Sequence, residues 1–274
     1  MLIKNLILDM DGVLWRGETP MPGLVVFFAT LKRLGLGYAL ATNNASKTIA
    51  QYEEKLGRFG VTVDPYYILT SSEATASYVE QEMGVETAVY IIGEDGLYEA
   101  FGRRGFPIVT MQEVAGGATA DLVVYGFNRH LTYNELAQGT LLVQRGARLM
   151  GTNPDVTFPH ESGLMPGAGA TQAFLEAATG VAATVIGKPG RIMFEEALQR
   201  LGGTTADTAM VGDRLNTDIA GGKAAGLTTI LVLSGISTAA EAANGMQPDY
   251  IFANIGELAR HLEARQDGQF GICL

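Results

Sequence analysis

The chain has 274 residues, 47% of them hydrophobic, with a net charge of −10 and a single cysteine, Cys273. That length supports one large core or two smaller ones, and the usual domain size favours two. The acidic balance argues against a nucleic-acid or acidic-membrane partner, since both are held through basic patches, and one cysteine excludes an intrachain disulfide framework or a cysteine metal cluster.

No apolar run approaches the roughly 20 residues of a membrane span, and the opening apolar stretch is too short for a signal-peptide core. A cytoplasmic protein is expected. From Leu2 to about Met83, short apolar runs alternate with longer amphipathic segments, the rhythm of parallel strands joined by crossover helices. The first strand, Leu2–Leu8, ends in Asp9-Met10-Asp11-Gly12. Residues two apart on a strand point to one side, so the two carboxylates can converge beyond its carboxyl end. At about 4 Å they would repel by roughly 4 kcal/mol at an effective dielectric of about 20, which a divalent cation or a held proton would offset. A solvated Asx-type turn is the alternative at this stage.

A helix near Gly23–Leu34 leads to a strand at Tyr38–Ala41, which ends in Thr42-Asn43-Asn44-Ala45-Ser46. Hydroxyl and amide groups at that edge suit a ligand site, and Asn44 or Ser46 equally suits a helix N-cap. A helix over Thr48–Phe59, a strand at Ile68–Leu69 and a helix over Ser72–Met83 follow.

Between Gly84 and about Ala183 a second series appears. Strands are expected at Ala88–Ile92, Ile108–Thr110, Leu122–Tyr125 and Arg148–Gly151, with helices at Gly96–Arg104 and Tyr133–Arg145. The run Thr152–Gly167 lacks periodicity and is read as a long functional loop before a helix at Ala170–Ala178. Gly167-Ala168-Gly169 fails as a dinucleotide fingerprint, because Gln172 stands in the third glycine's place and no strand directly precedes it.

The first rhythm resumes with a strand at Thr184–Ile186, Gly187-Lys188-Pro189 and a helix at Ile192–Leu201. Strand Ala209–Val211 then ends in Gly212-Asp213-Arg214-Leu215-Asn216-Thr217-Asp218. A helix at Ile219–Ala225, strands at Thr229–Leu233 and Tyr250–Phe252 and a helix at Ile255–Ala264 close the chain. The expected fold is α/β: a doubly wound parallel-sheet core over 1–83 and 184–274, interrupted by a smaller α/β domain over 84–183. Taken singly, Lys188 could be a surface lysine and Asp218 a helix cap. Four strand ends carrying complementary polar residues in one open sheet are harder to explain separately.

Those four segments in order resemble the motifs of the haloacid dehalogenase superfamily of phosphohydrolases. Asp-Gly-Val-Leu-Trp after Asp9, the Asn153-Pro154-Asp155 run and the large insertion between the second and third motifs resemble its nitrophenylphosphatase-like subfamily, IIA. The resemblance implies Asp9 as the nucleophile that forms an aspartyl-phosphate, and Asp11 as the acid that protonates the leaving oxygen and then activates water. It implies Mg²⁺ held by Asp9, the Asp11 carbonyl and Asp213, with Asp218 behind them. It also implies phosphate held by Thr42, Asn43 and Lys188.

Other members fit less well. A dehalogenase-like relative would not be expected to keep an acid at Asp11, and an ion pump would carry Lys-Thr where Met10 and Asp11 stand. The insertion is expected to act as a lid over bound substrate. Asn128, Arg129, His130, Asn153, Asp155 and His160 are its substrate-contacting candidates, with Asn153 and Asp155 setting substrate preference. The expected function is a Mg²⁺-dependent phosphomonoesterase acting on a small-molecule phosphate ester, with a homo-oligomer left open. The rivals are a phosphomutase on the same core and an idle binding module.

Overall fold

The computed structural model describes residues 2–160, 163–264 and 272–273, with the side chains of Pro159, His160, Ile272 and Cys273 outside the described set. The chain divides into two compact units. The first comprises 1–42, 50–69 and 188–274, and the second 43–49 and 70–187.

The first unit is built on a six-stranded sheet in the order Tyr250–Phe252, Thr228–Val232, Thr208–Gly212, Asn5–Leu8, Gly37–Thr42, Ile68–Thr70. The Asn5–Leu8 strand lies at its centre, parallel to both neighbours, with Ile7 opposite Met210 on one side and Ala39 on the other. A central parallel strand is covered on both faces, so it reads as a continuous apolar run; Leu6, Ile7 and Leu8 are all fully buried.

The helix Leu24–Leu34 shows the helical period instead. It buries Leu24, Phe27, Phe28, Leu31 and Leu34, and packs beside the helix Ile255–Ala264. Gly35 ends it in the left-handed conformation, φ 66°, returning its N–H to the Lys32 carbonyl.

The second unit holds a parallel five-stranded sheet in the order Thr184–Val185, Arg148–Gly151, Leu122–Tyr125, Val89–Ile92, Ile108–Val109. Alternate residues feed two cores. Val89, Ile91, Leu122, Val124 and Met150 pack with Leu97 and Phe101, while Tyr90, Ile92, Val123, Tyr125 and Leu149 pack with Leu142, Val143 and Leu175.

The units depart from the expected boundaries 84 and 183 for identifiable reasons. The helix Ser71–Met83 belongs with the insertion, because Ala76 and Val79 enter the first of those cores. The same helix carries a buried Glu73 that accepts from Arg103 at 2.6 Å and Arg104 at 2.9 Å. Residues 43–49 join it through Ser72 Oγ on the Ala45 carbonyl at 2.8 Å and Gly96 N–H on the Ser46 carbonyl at 3.1 Å. At the other end, Thr184–Val185 pairs with Arg148–Gly151, and Gly187 N–H donates to the Thr152 carbonyl at 3.0 Å. That strand was expected in the core sheet.

Several further elements were not expected, among them the small hairpin of Trp15–Arg16 with Thr19–Pro20. The stretch read as a long loop contains an antiparallel hairpin, Thr157–His160 with Gly163–Pro166. Short helices occupy Met111–Ala115 and Ala239–Asn244, each opened by a capping box, Thr110 with Glu113 and Thr238 with Glu241.

Candidate active site

Asp9 follows directly on the central strand and donates its backbone N–H to the Val211 carbonyl at 2.9 Å, which extends the ladder to the edge of the sheet. From the next strand end, Asp213 and Asp218 arrive beside it. One carboxylate oxygen of each of the three residues lies within 4.8 Å of the other two, and all three residues are buried. Lys188, 2% exposed, points its ammonium into this group. Its Nζ lies 2.5 Å from Asp9 Oδ1, 2.8 Å from Asp218 Oδ1 and 2.9 Å from the Ala41 carbonyl.

Two close approaches explain the glycines here. Gly12 sits at φ +88°, and a Cβ there would meet Asp213 Oδ2 at 2.4 Å. A Cβ on Gly235 would meet the same oxygen at 1.9 Å.

The charges do not cancel. Three buried carboxylates face one buried ammonium, so with all four groups ionised the quartet carries a net charge of −2, and Arg214 is a further positive group acting on Asp213. Burial pushes the Asp9 carboxyl well above the ordinary aspartate value; Lys188 opposes that shift, and Asp218 and Asp213 reinforce it. Asp213 is raised to about 6, by burial first and then by Asp218, against the Ile236 N–H that donates to its Oδ2 at 2.7 Å. Burial works against the Lys188 ammonium too, but Asp218 and Asp9 outweigh it and hold its pKa above the usual lysine value.

Asp213 Oδ1 is buried with no hydrogen-bond partner among the described residues. A surplus of two buried negative charges and an orphaned carboxylate oxygen are what a hard divalent cation would satisfy, so the residues fit a bound Mg²⁺.

Asp218 was expected behind the other carboxylates. Its Oδ1 lies 2.8 Å from Lys188 Nζ within the cluster, and its Oδ2 accepts the Arg214 N–H at 3.1 Å. A π-type turn over Leu215–Ile219 places it there. Asp11 stands apart from the acidic cluster: its carboxylate is exposed, and Oδ1 accepts the Trp15 indole N–H at 2.8 Å. Thr42 is buried at the end of the strand beside Asp9's own.

The sequence reading missed the segment that braces Asp213. Ser234 Oγ donates to the Gly12 carbonyl at 2.7 Å, Ile236 N–H to Asp213 Oδ2, and Ser237 N–H to the Asp213 carbonyl at 3.0 Å. A Ser-Gly pair directly after an apolar strand was the available signal.

The insertion's candidates belong to the second unit. Asn43 belongs to it, and its carbonyl accepts from Ser71 Oγ and from Asn153 Nδ2, each at 2.8 Å. Asn153 is buried, and its Oδ1 accepts the Asp155 N–H at 3.1 Å, so this side chain is committed to fixing two backbones. Asn43 Nδ2 lies 3.5 Å from Asp155 Oδ2. Arg129 is committed as well: its backbone N–H and guanidinium both reach Glu94, at 2.8 and 2.9 Å, and the guanidinium lies over Phe127. Asn128 accepts the His130 N–H at 2.8 Å and donates to Glu135 at 3.3 Å, while His130 is exposed. His160 lies on the hairpin, and its side chain falls outside the described residues.

A carboxylate just after a central strand, a buried lysine and two carboxylates in the segment after the adjoining strand define a Rossmann-like hydrolase site of the phosphoryl-transfer kind. Comparison with known proteins agrees. Residues 6–107 match the family model described as haloacid dehalogenase-like hydrolase, and residues 185–258 match a second, described as HAD-hydrolase-like. The chain is 38% identical over 234 residues to the 5'-nucleotidase YutF of Bacillus subtilis, covering 85% of this chain and 88% of that one. It is 37% identical over 262 residues to an acid sugar phosphatase of Staphylococcus aureus, covering 95% and 98%.

Among solved structures it resembles a p-nitrophenyl phosphatase from Archaeoglobus fulgidus, with a TM-score of 0.88 and 34% identity over 96% of this chain and 100% of that one. The chain belongs to the haloacid dehalogenase-like hydrolases, within their nitrophenylphosphatase-like phosphatases, subfamily IIA. No helix among the described residues is long and apolar enough to cross a membrane.

Proposed function

We propose that this phosphatase is a Mg²⁺-dependent phosphomonoesterase that works through an aspartyl-phosphate on Asp9. The observation that carries the reading is the buried quartet of Asp9, Asp213, Asp218 and Lys188, which with all four groups ionised is two positive charges short of neutrality. Asp9 and Asp213, with the Asp11 carbonyl, would hold the cation. When bound, the cation supplies charge that lets an anionic ester approach a carboxylate nucleophile. Asp218 keeps Lys188 in place, and Lys188 neutralises phosphate charge beside Asp9. Thr42 supplies a further hydroxyl at the same strand edge, and Asn43 follows it in the second motif.

The chemistry divides between two aspartates. A carboxylate oxygen of Asp9 attacks phosphorus as the bond to the leaving oxygen breaks, and Asp11 gives that oxygen its proton. Asp11, now ionised, takes a proton from water as the water oxygen attacks the same phosphorus. The Asp9–phosphorus bond breaks, and inorganic phosphate is released with both aspartates restored. The names of the relatives point to nucleoside monophosphates and sugar phosphates as substrates. The choice among leaving groups belongs, in this reading, to the insertion.

The test is release of inorganic phosphate from p-nitrophenyl phosphate, glucose phosphate and a nucleoside monophosphate, with and without Mg²⁺. Wild type should require Mg²⁺ and accumulate phosphate, and Asp9→Asn should lose at least about 10³-fold. Phosphoryl return to substrate without free phosphate would mark a mutase. Full activity in Asp9→Asn would end the aspartyl-phosphate reading.

A further inference from the structure

The turn after Asp9 holds Asp11 by a side chain that no step above uses. Asp11 is exposed, and its Oδ1 takes a 2.8 Å hydrogen bond from the indole N–H of Trp15, which is itself fully buried. The indole is fixed on several sides. It stacks on Tyr52 with ring centroids 6.2 Å apart and planes at 23°, and it meets Phe59 at 6.0 Å. Lys55 Nζ lies 4.5 Å from the ring centroid. That lysine is buried too, and donates to the Gly17 carbonyl at 2.8 Å within the small hairpin that Trp15 opens. The backbone closes the same turn, with Gly12 N–H on the Trp15 carbonyl at 2.7 Å.

We propose that Trp15 is a positioning residue for Asp11: its N–H pins one carboxylate oxygen so that the other faces the leaving oxygen and then the water. The inference rests on the reading of Asp11 as acid and base. An indole N–H donates and has no accepting lone pair, so Trp15 cannot replace Asp11 as a proton carrier and can only orient it. A buried indole N–H also needs a partner, so the pair is mutually required. An aspartate on an exposed turn would otherwise rotate about two bonds, and a misplacement of about 1 Å is enough to cost about 10²-fold in rate.

Leaving groups that differ in their need for a proton supply the readout. Nitrophenolate departs unprotonated, whereas the alkoxide of glycerol phosphate does not. In Trp15→Phe, single-turnover release of glycerol should slow about 10- to 100-fold, while release of nitrophenol slows less than about threefold and KM for both esters holds. Trp15 is the chain's single tryptophan, so growth of a tryptophan auxotroph on 3-benzothienylalanine replaces the N–H with sulfur at that position alone. This second protein keeps the ring bulk and should show the same split even if Trp15→Phe folds poorly.

Equal slowing on both esters, or none on either, in the sulfur-substituted protein overturns the proposal. Asp11→Asn is run beside it, and the double variant with Trp15→Phe should be no slower than Asp11→Asn alone. A split in Asp11→Asn with none at Trp15 refutes the positioning role only. No split in Asp11→Asn refutes the acid assignment, and the Trp15 inference with it.

Discussion

The two units treat polar residues in opposite ways. In the first, Asp9, Lys188, Asp213 and Asp218 come from segments far apart in sequence, and converge with more negative charge than they can neutralise among themselves. In the second, Asn128, Arg129, Asn153 and Asp155 each find polar partners: Glu135 and His130, Glu94, Asn43, and each other. A polar cluster assembled by the sheet retains an unmet demand that a ligand can satisfy. One assembled within or between loops tends to satisfy itself, and then its work is to shape the chain.

The largest effect that would sharpen this contrast is expected from Lys188→Met. The substitution leaves Asp9 and Asp218 facing each other without their shared cation. Turnover of p-nitrophenyl phosphate should fall about 10²- to 10³-fold, the range for removing one preorganised electrostatic contact. Stability of the metal-free protein should fall as well, because breaking a buried ion pair leaves charge uncompensated. Denaturant unfolding and steady-state rates check both, and a variant within about threefold of wild-type rate would show that the quartet is structural only.

Asp213→Asn separates the cation from the fold. It removes one of the two surplus charges while keeping the size of a side chain braced by Ile236. The Mg²⁺ concentration for half-maximal rate should rise at least about 10-fold. Without metal, the variant should melt no lower than wild type, because a buried carboxylate with an unpartnered oxygen has become neutral. Thermal melts with chelator and with added Mg²⁺ read both quantities. A metal-free variant that melts far below wild type would mean that the surplus charge is offset by something other than a cation.

Asp9, Thr42 and Asp213 were legible in the sequence because each ends or follows an apolar run, and a parallel sheet brings such ends to one edge; Lys188 was legible through its motif, although the strand before it pairs in the other sheet. The direction of Asp218 was not legible, because it depends on the π-type turn that contains the residue, and no periodicity announces that turn. Trp15 was legible as the end of the Asp-Gly-Val-Leu-Trp run but its bond to Asp11 was not, since the setting of the indole depends on Tyr52, Phe59 and Lys55 from a distant helix and its end. The hairpin over Thr157–Pro166 escaped because Pro159 and Pro166 interrupt any strand pattern. By contrast, the helix at Met111–Ala115 carried a legible Thr-x-x-Glu start that was passed over as the end of a strand.

The smallest expected effect bears on Asn153, which the sequence marked as a chooser of substrates. Its amide nitrogen donates to the Asn43 carbonyl and its amide oxygen accepts from the Asp155 backbone, and the side chain itself is buried. Such a residue supports the chain, and Asn153→Ala should cost about 1–3 kcal/mol of stability through the donor and acceptor it strands. The Asn43 carbonyl keeps Ser71 Oγ, which places the loss toward the lower end. Rates on a sugar phosphate, a nucleoside monophosphate and p-nitrophenyl phosphate should fall together, with their ratios held within about twofold. A shift of tenfold or more in those ratios at unchanged stability would return Asn153 to the substrate and break the contrast between the two units.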